Sequence, residues 1–221
     1  MAAIDTGAAD STREQLLNVA EALFLEHGLD EVSLRTIVRE AGQRNQSALQ
    51  YHFGGRAGLI AAIVNRRMTQ IEARRRALVA KALADTPDPG IREVCALMIR
   101  APFLLCREDS AFRAFLGLFG QRLLASDRDI ALVEEDDRHP SLASLRAMLR
   151  DRLSGIDADV LKLRTENAHA LALLAISRRA RCGSFRGRQA ELFFENLADQ
   201  LTAMLAVPVS AATRSQLDSV V

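Results

Sequence analysis

The 221-residue sequence predicts an all-α fold: a small N-terminal three-helix head carrying a helix-turn-helix, followed by a larger helical-bundle body. Three observations lead there. Apolar residues recur at i, i+3, i+4 and i+7 in one segment after another, the spacing of helices with one buried face. No segment alternates apolar and polar residues as a half-buried strand does. Breakers, above all Thr86-Pro-Asp-Pro-Gly90, divide the helical runs.

The elements follow in order. Residues 1–10 are small and polar and are expected to be disordered. Ser11 followed by Glu14 fits a capping box that opens the first helix. Leu16, Ala20, Leu23 and Phe24 give that helix its inward stripe, and Gly28 ends it. Ser33 can cap a second helix whose Leu34, Ile37, Val38 and Ala41 share a face, and Gly42 stops it. A third helix starts near Asn45. Its Leu49 and Phe53 lie one turn apart and anchor inward, leaving Gln46, Ser47, Gln50 and Tyr51 facing out with almost no charge. A buried helix pair that offers one amide-rich helix has the design of a helix-turn-helix.

Gly54 and Gly55 mark a break, and Arg56 opens a long helix to about Lys81. Beyond the Pro-Asp-Pro stretch come Ile91 to Cys106, which Pro102 would kink or split, then Asp109 to Ala125, Pro140 to Leu153, Asp157 to Cys182, and Ser184 to Leu205 with Ser184 as its cap. Pro208 ends the last helix, before a loose tail. The expected division is 1–10 disordered, 11–55 head, 56–206 helical body, and 207–221 flexible tail.

Composition narrows the class. Hydrophobic residues make up 49%, too many for a disordered chain, and no apolar run of membrane-spanning length is present. Residues 1–10 lack a cationic region before an apolar segment, so no signal peptide is expected. Cys95, Cys106 and Cys182 are widely spaced and odd in number, which points to free thiols and a cytoplasmic protein. Net charge is only +1, and residues 1–56 hold five arginines against eight acids, a net of −3. DNA binding must then come from placed arginines rather than a basic domain. The basic run Arg66, Arg67, Arg74, Arg75, Arg76 and Lys81 reads first as a solvated helix face.

The ordered set of first helix, glycine turn, ALQYHF and GGRAGL resembles the DNA-binding region of TetR-family transcriptional repressors, specifically over about Thr12 to Met68. The resemblance implies a partner, double-stranded operator DNA, and assigns roles. Gln46, Ser47, Ala48 and Gln50 occupy base-facing positions. Glutamine pairs bidentately with adenine, and the alanine methyl suits thymine. Tyr51 and His52 match backbone-contacting positions. Arg56 stands where the family usually has lysine, at a helix start suited to phosphate. Arg35 reaches the groove from the preceding helix, and Arg44 and Asn45 in the turn complete the set. Two features depart from the common pattern. The Gly42–Leu49 segment is one residue longer, and Ser47 and Gln50 replace a small residue and an aromatic. Tyr51 and His52 also admit a plain packing role.

Operator half-sites a helical turn apart need a symmetric dimer. The resemblance implies that the last two long helices pair with their mates, through Leu171, Leu174 and Arg178 on one and Phe193, Leu197 and Leu201 on the other. Ordinary intramolecular core is the alternative. Met98, Phe103, Phe112, Phe115, Phe119 and Leu123 would form an adaptable pocket for an apolar or amphipathic small-molecule effector, with simple core as the alternative that helical spacing alone favours. Release by effector is expected as a population shift. No cofactor or metal and no enzymatic role are expected. Glu166 and His169 have the Glu-x-x-His spacing of di-iron bundles, but Asp136 and His139 echo it poorly. A head that contacts a protein partner is the remaining rival, supported by its acidic tally.

Overall fold

The computed structural model describes residues 6–43, 45, 47–125 and 139–217, with backbone alone at 6–10 and 121–125. Ten helices lie among the described residues: α1 Thr6–His27, α2 Leu34–Glu40, α3 Ser47–Phe53, α4 Arg56–Asp85, α5 Ile91–Glu108, α6 Ser110–Ala125, α7 Pro140–Arg152, α8 Ala158–Cys182, α9 Arg188–Ala206 and α10 Ala211–Leu217. Two compact units divide inside α4, at Met1–Gln70 and Ile71–Val221, rather than at residue 55. The first half of α4 therefore belongs to the head.

In the head, Leu16, Leu17, Ala20 and Phe24 of α1 close over Ile37, Val38, Leu49, Leu59 and Ile63 as one apolar core. α1 packs on both α2 and α3. It begins at Thr6, so the 6–10 stretch expected to be disordered is helical, and Ser11 lies inside the helix instead of capping it. The alanines at 8 and 9 are strong helix formers and extend the helix upstream. One carboxylate is buried in this core. Glu21 is 3% exposed and takes Arg67 Nε at 2.6 Å and the Arg66 guanidinium, which also donates to Asn18 Oδ1 at 2.5 Å. Of the basic run expected to form a solvated face, Arg66 and Arg67 instead tie α4 to α1 around an otherwise costly buried charge, while Arg76 and Lys81 are exposed.

In the body, α5 is buried on nearly every side, from Val94 and Cys95 to Leu105 and Cys106. It packs against α6, α7, α8 and α9. Pro102 sits inside it without splitting it, because neighbours hold the helix where the proline removes a hydrogen bond. α6 lies close along α8: a Cβ on Gly120 would fall 1.8 Å from Ser177 Oγ, so only glycine fits there. α8 is capped by Asp157, whose side chain accepts from the amides of Asp159 and Val160. α9 starts at Arg188 behind Gly187 (φ 76°), not at Ser184. Ser184 Oγ instead accepts from Arg186 N at 3.1 Å. The cause is Phe185, buried against Phe103 at 5.3 Å between ring centroids, which holds the chain in a turn before the helix starts. The tail is not wholly loose, since α10 forms within it, although it buries no residue. Cys95, Cys106 and Cys182 are free, and burial pushes the Cys106 thiol up to about 12. No described helix is long and apolar enough to cross a membrane.

Polar groups also meet inside the body. Glu72 accepts from Ser141 N at 2.8 Å and Ser141 Oγ at 2.7 Å, and Arg75 Nη1 donates to it at 3.2 Å. Burial, then the charges of Arg146, Arg75 and His139, lowers the His169 imidazole from its usual 6.5 to about 4.

Two predictions follow from these buried groups. Glu21→Ala leaves two guanidiniums facing a core without their counter-charge and should cost the head about 3 kcal/mol, read as a lower urea midpoint. His169 binds its proton less readily folded than unfolded. Its contribution is therefore complete above pH 6.5 and is lost as pH falls toward 4, by up to about 3 kcal/mol. His169→Gln should flatten the stability profile over that window relative to the parent protein. Equal slopes would refute the assignment.

Candidate nucleic-acid interface

The presenting frame is α2, its turn and α3. Ser33, extended at φ −82° and ψ 151°, accepts from Thr36 N through its side chain and caps α2. The helix closes with a paired motif: Gly42 N donates to Arg39 O at 3.0 Å and Gln43 N to Val38 O at 2.9 Å. Gly42 holds φ +66°, the left-handed position that glycine fills without penalty. Asn45 Oδ1 accepts from Ser47 N at 3.0 Å and caps α3. The extra residue in this turn is thus used to hold the start of the helix, which gives Asn45 a local role beside the groove role expected of it.

α3 is anchored by buried Leu49 and Phe53. Ser47 and Gln50 are exposed, Ala48 and His52 half-buried, and Tyr51 is 81% exposed. The Tyr51 ring meets His52 edge-on at 5.0 Å. Such exposure sets aside the packing role for Tyr51: the ring has nothing of its own head to cover. His52 and Phe53 border a cleft of about 410 Å³ with Arg13, Leu17, Ala62 and Arg66. Arg35 projects from the first turn of α2 and is exposed. Arg44 and Gln46 lie outside the described residues.

Arg56 departs from expectation. Its Nη1 donates to Val32 O at 2.6 Å, its Nη2 donates to Leu29 O, and the guanidinium lies 5.2 Å over the Phe24 ring. The side chain is a strut for the α1–α2 loop, not an outstretched phosphate ligand. The carbonyls that hold it are 24 and 27 residues upstream, so local sequence could not reveal them. Sequence reasoning also missed Gly58. A Cβ there would sit 1.8 Å from the Phe53 carbonyl oxygen, so only glycine lets α4 start this close to the end of α3. The available signal was a glycine in the third position of a long helix, where it is costly unless something approaches closely.

The remaining expected residues fall in the body. Phe112, Phe115 and Phe119 are buried in one run, the last two stacked at 4.9 Å. Phe103 does not join them. It packs with Phe185, Phe193 and Phe194 on the α9 side. Met98 is half-buried, and the Leu123 side chain lies outside the described residues. The aromatic set is thus two packed clusters on different faces, not one lining. Leu197 and Leu201, expected at a dimer seam, are 2% and 3% exposed and belong to the chain's own core. Helical spacing alone cannot tell the two kinds of burial apart. Leu174 and Arg178 are exposed, and Leu171 and Phe193 are half-buried. His169, the histidine of the Glu-x-x-His pair, faces two arginines, a setting hostile to a cation. No group of three or more His, Cys, Asp or Glu suited to a metal occurs among the described residues.

A capped, glycine-turned helix pair that exposes one polar helix, on a chain continuing into a helical body, has the geometry of a helix-turn-helix. Residues 16–63 match the model of bacterial regulatory proteins, tetR family. The fold is similar to that of a tetR family transcription regulator from Shewanella sp. PV-4, at TM-score 0.62 and 18% identity over 86% of this chain and 95% of that one. It is also similar to Mycobacterium smegmatis AmtR, at TM-score 0.50 and 23% identity over 93% and 94%. No curated protein sequence matches. Residues 16–63 are thus similar in sequence to the tetR family of bacterial regulatory proteins, and the chain as a whole shares the fold of those solved structures.

Arg56→Ala should act on stability rather than on DNA. Leaving two carbonyls unsatisfied should cost about 2 kcal/mol, seen as a lower melting temperature. The salt dependence of DNA binding should stay as in the parent. A slope reduced by one contact would return Arg56 to the phosphate backbone.

Proposed function

We infer that the protein is a homodimeric repressor that reads a palindromic operator through α3 and is released by a small molecule bound in the body. The observation that carries this reading is Tyr51. A large ring held almost fully in solvent, on a helix whose Leu49 and Phe53 are buried, is positioned for a partner outside the chain. Ser47, Ala48 and Gln50 beside it offer hydrogen bonds and a methyl group to base edges. Tyr51 and His52 offer contacts to the sugar-phosphate backbone. Arg35 brings a cation from α2. Arg44 and Gln46 complete the reading surface by the family pattern.

Dimerisation is assigned to the exposed stripes of α8 and α9. Leu163 and Leu174 lie on one and Leu192 on the other, at 59%, 42% and 59% exposure, with Arg178 in line. These replace Leu197 and Leu201 of the sequence-based set. A symmetric pair built on them would present two copies of α3 to successive major grooves. The small number of uncommitted head arginines makes readout by polar contacts more important than bulk charge.

Selection of bound fragments from random duplex DNA should yield an inverted repeat, and the bound species should sediment as a dimer. Binding to that fragment should weaken steeply with added salt. Tyr51→Ala should weaken it by about tenfold or more with an unchanged melting temperature. A monomer indifferent to every duplex, or a salt-independent association, would refute the reading and favour a protein partner for the head.

A further inference from the structure

The cleft of about 410 Å³ in the head is built by three of its helices. α3 contributes His52 and Phe53, α1 contributes Arg13 and Glu14, and α4 contributes Asn65 and Arg66. It therefore opens directly beside the helix that carries Tyr51. Ala61 and Ala62 keep its wall on α4 low.

Arg13 is the cation of this cleft that is least committed elsewhere. Its guanidinium lies 5.3 Å over the Phe53 ring, which ties it to the inner anchor of α3. A guanidinium above a ring keeps its N–H groups in its own plane, where an acceptor can reach them. Glu14 stands 3.8 Å away, and the two side chains are 42% and 56% exposed. An exposed pair at that separation contributes little and yields readily to another anion. Glu14 also lies 3.6 Å from Arg66 Nη1, so its charge is shared. Arg66 itself is held by Glu21 and Asn18. His52 meets Tyr51 and Phe53 through ring contacts, and its imidazole borders the same cleft. At the start of α4, by contrast, Arg56 is turned onto two loop carbonyls. The cation that a duplex would meet beside α3 is then Arg13.

We propose that Arg13 seats a phosphate group of the duplex at this cleft, beside His52, in place of Arg56. The assignment rests on the reading of α3 as the DNA-contacting helix and adds to it a backbone contact from α1. Such a contact carries no base information. Arg13 sets register and affinity, not the operator sequence.

The test uses the full-length protein and the duplex selected from random DNA. The dependence of log affinity on log salt is measured for the parent, for Arg13→Gln, and for exposed Arg150→Gln on α7 as a control of equal charge change. Arg13→Gln should weaken binding about tenfold on selected and scrambled duplexes alike and reduce the slope by about 0.9. Arg150→Gln should do neither. Arg13→Lys keeps the charge and should keep the slope, which separates a phosphate contact from a structural loss. When single phosphates are replaced by neutral methylphosphonates, one flanking position should weaken the parent and add nothing to Arg13→Gln. An unchanged slope in a folded Arg13→Gln protein, or penalties that add fully at every phosphate, would overturn the proposal and leave the regulator reading standing. A parent protein that binds no duplex would defeat that reading, and this contact with it. Calorimetry with inorganic phosphate alone should show no saturable binding. Binding that Arg13→Gln abolishes would make the cleft a seat for free phosphate and overturn the duplex assignment.

Discussion

The head is held together by one buried carboxylate. Glu21 sits in an apolar interior and is tolerable only because Arg66 and Arg67 reach it from α4. A buried charge with its partners missing is among the most damaging defects a small core can suffer. With the partners present, the same charge fixes where α4 lies against α1. That placement lets Gly58 come against the end of α3, and so decides how α3 stands out from the head. The reading surface is thus set from behind, by an ion cluster that does not itself face outward.

The same economy explains how a head that is acidic by count could still serve the proposed DNA reading. Of its described arginines, Arg66 and Arg67 serve Glu21, Arg39 serves Glu40, Arg56 serves two loop carbonyls, and Arg13 lies over Phe53. Much of the charge here is thus already engaged within the head. The outward surface relies on hydrogen-bonding groups of fixed direction, which favours discrimination between sequences over indiscriminate attraction to phosphate.

Much of this was legible in the sequence. The cap at Ser33, the stop at Gly42 and the inward pair Leu49 and Phe53 are local signals, and each depends on residues within one or two turns. The all-helical class and most helix limits follow from periodicity in the same way. What could not be read were partnerships across long sequence distances. Arg56 looked like a phosphate ligand because its carbonyl partners lie on another loop. Leu197 and Leu201 looked like a seam because spacing fixes which face is apolar and not what covers it. The start of α9 was misplaced because burial of Phe185, a tertiary fact, outweighed a plausible cap at Ser184.

Tyr51 is the chain's one tyrosine, and tryptophan is absent. The natural ultraviolet emission of the protein therefore comes almost wholly from a single ring at the tip of α3. Since that ring is already bathed in water, unfolding should change its light little, whereas the proposed docking against a sugar-phosphate backbone would change its surroundings. The molecule carries an unlabelled optical probe at the spot where the proposed docking would take place.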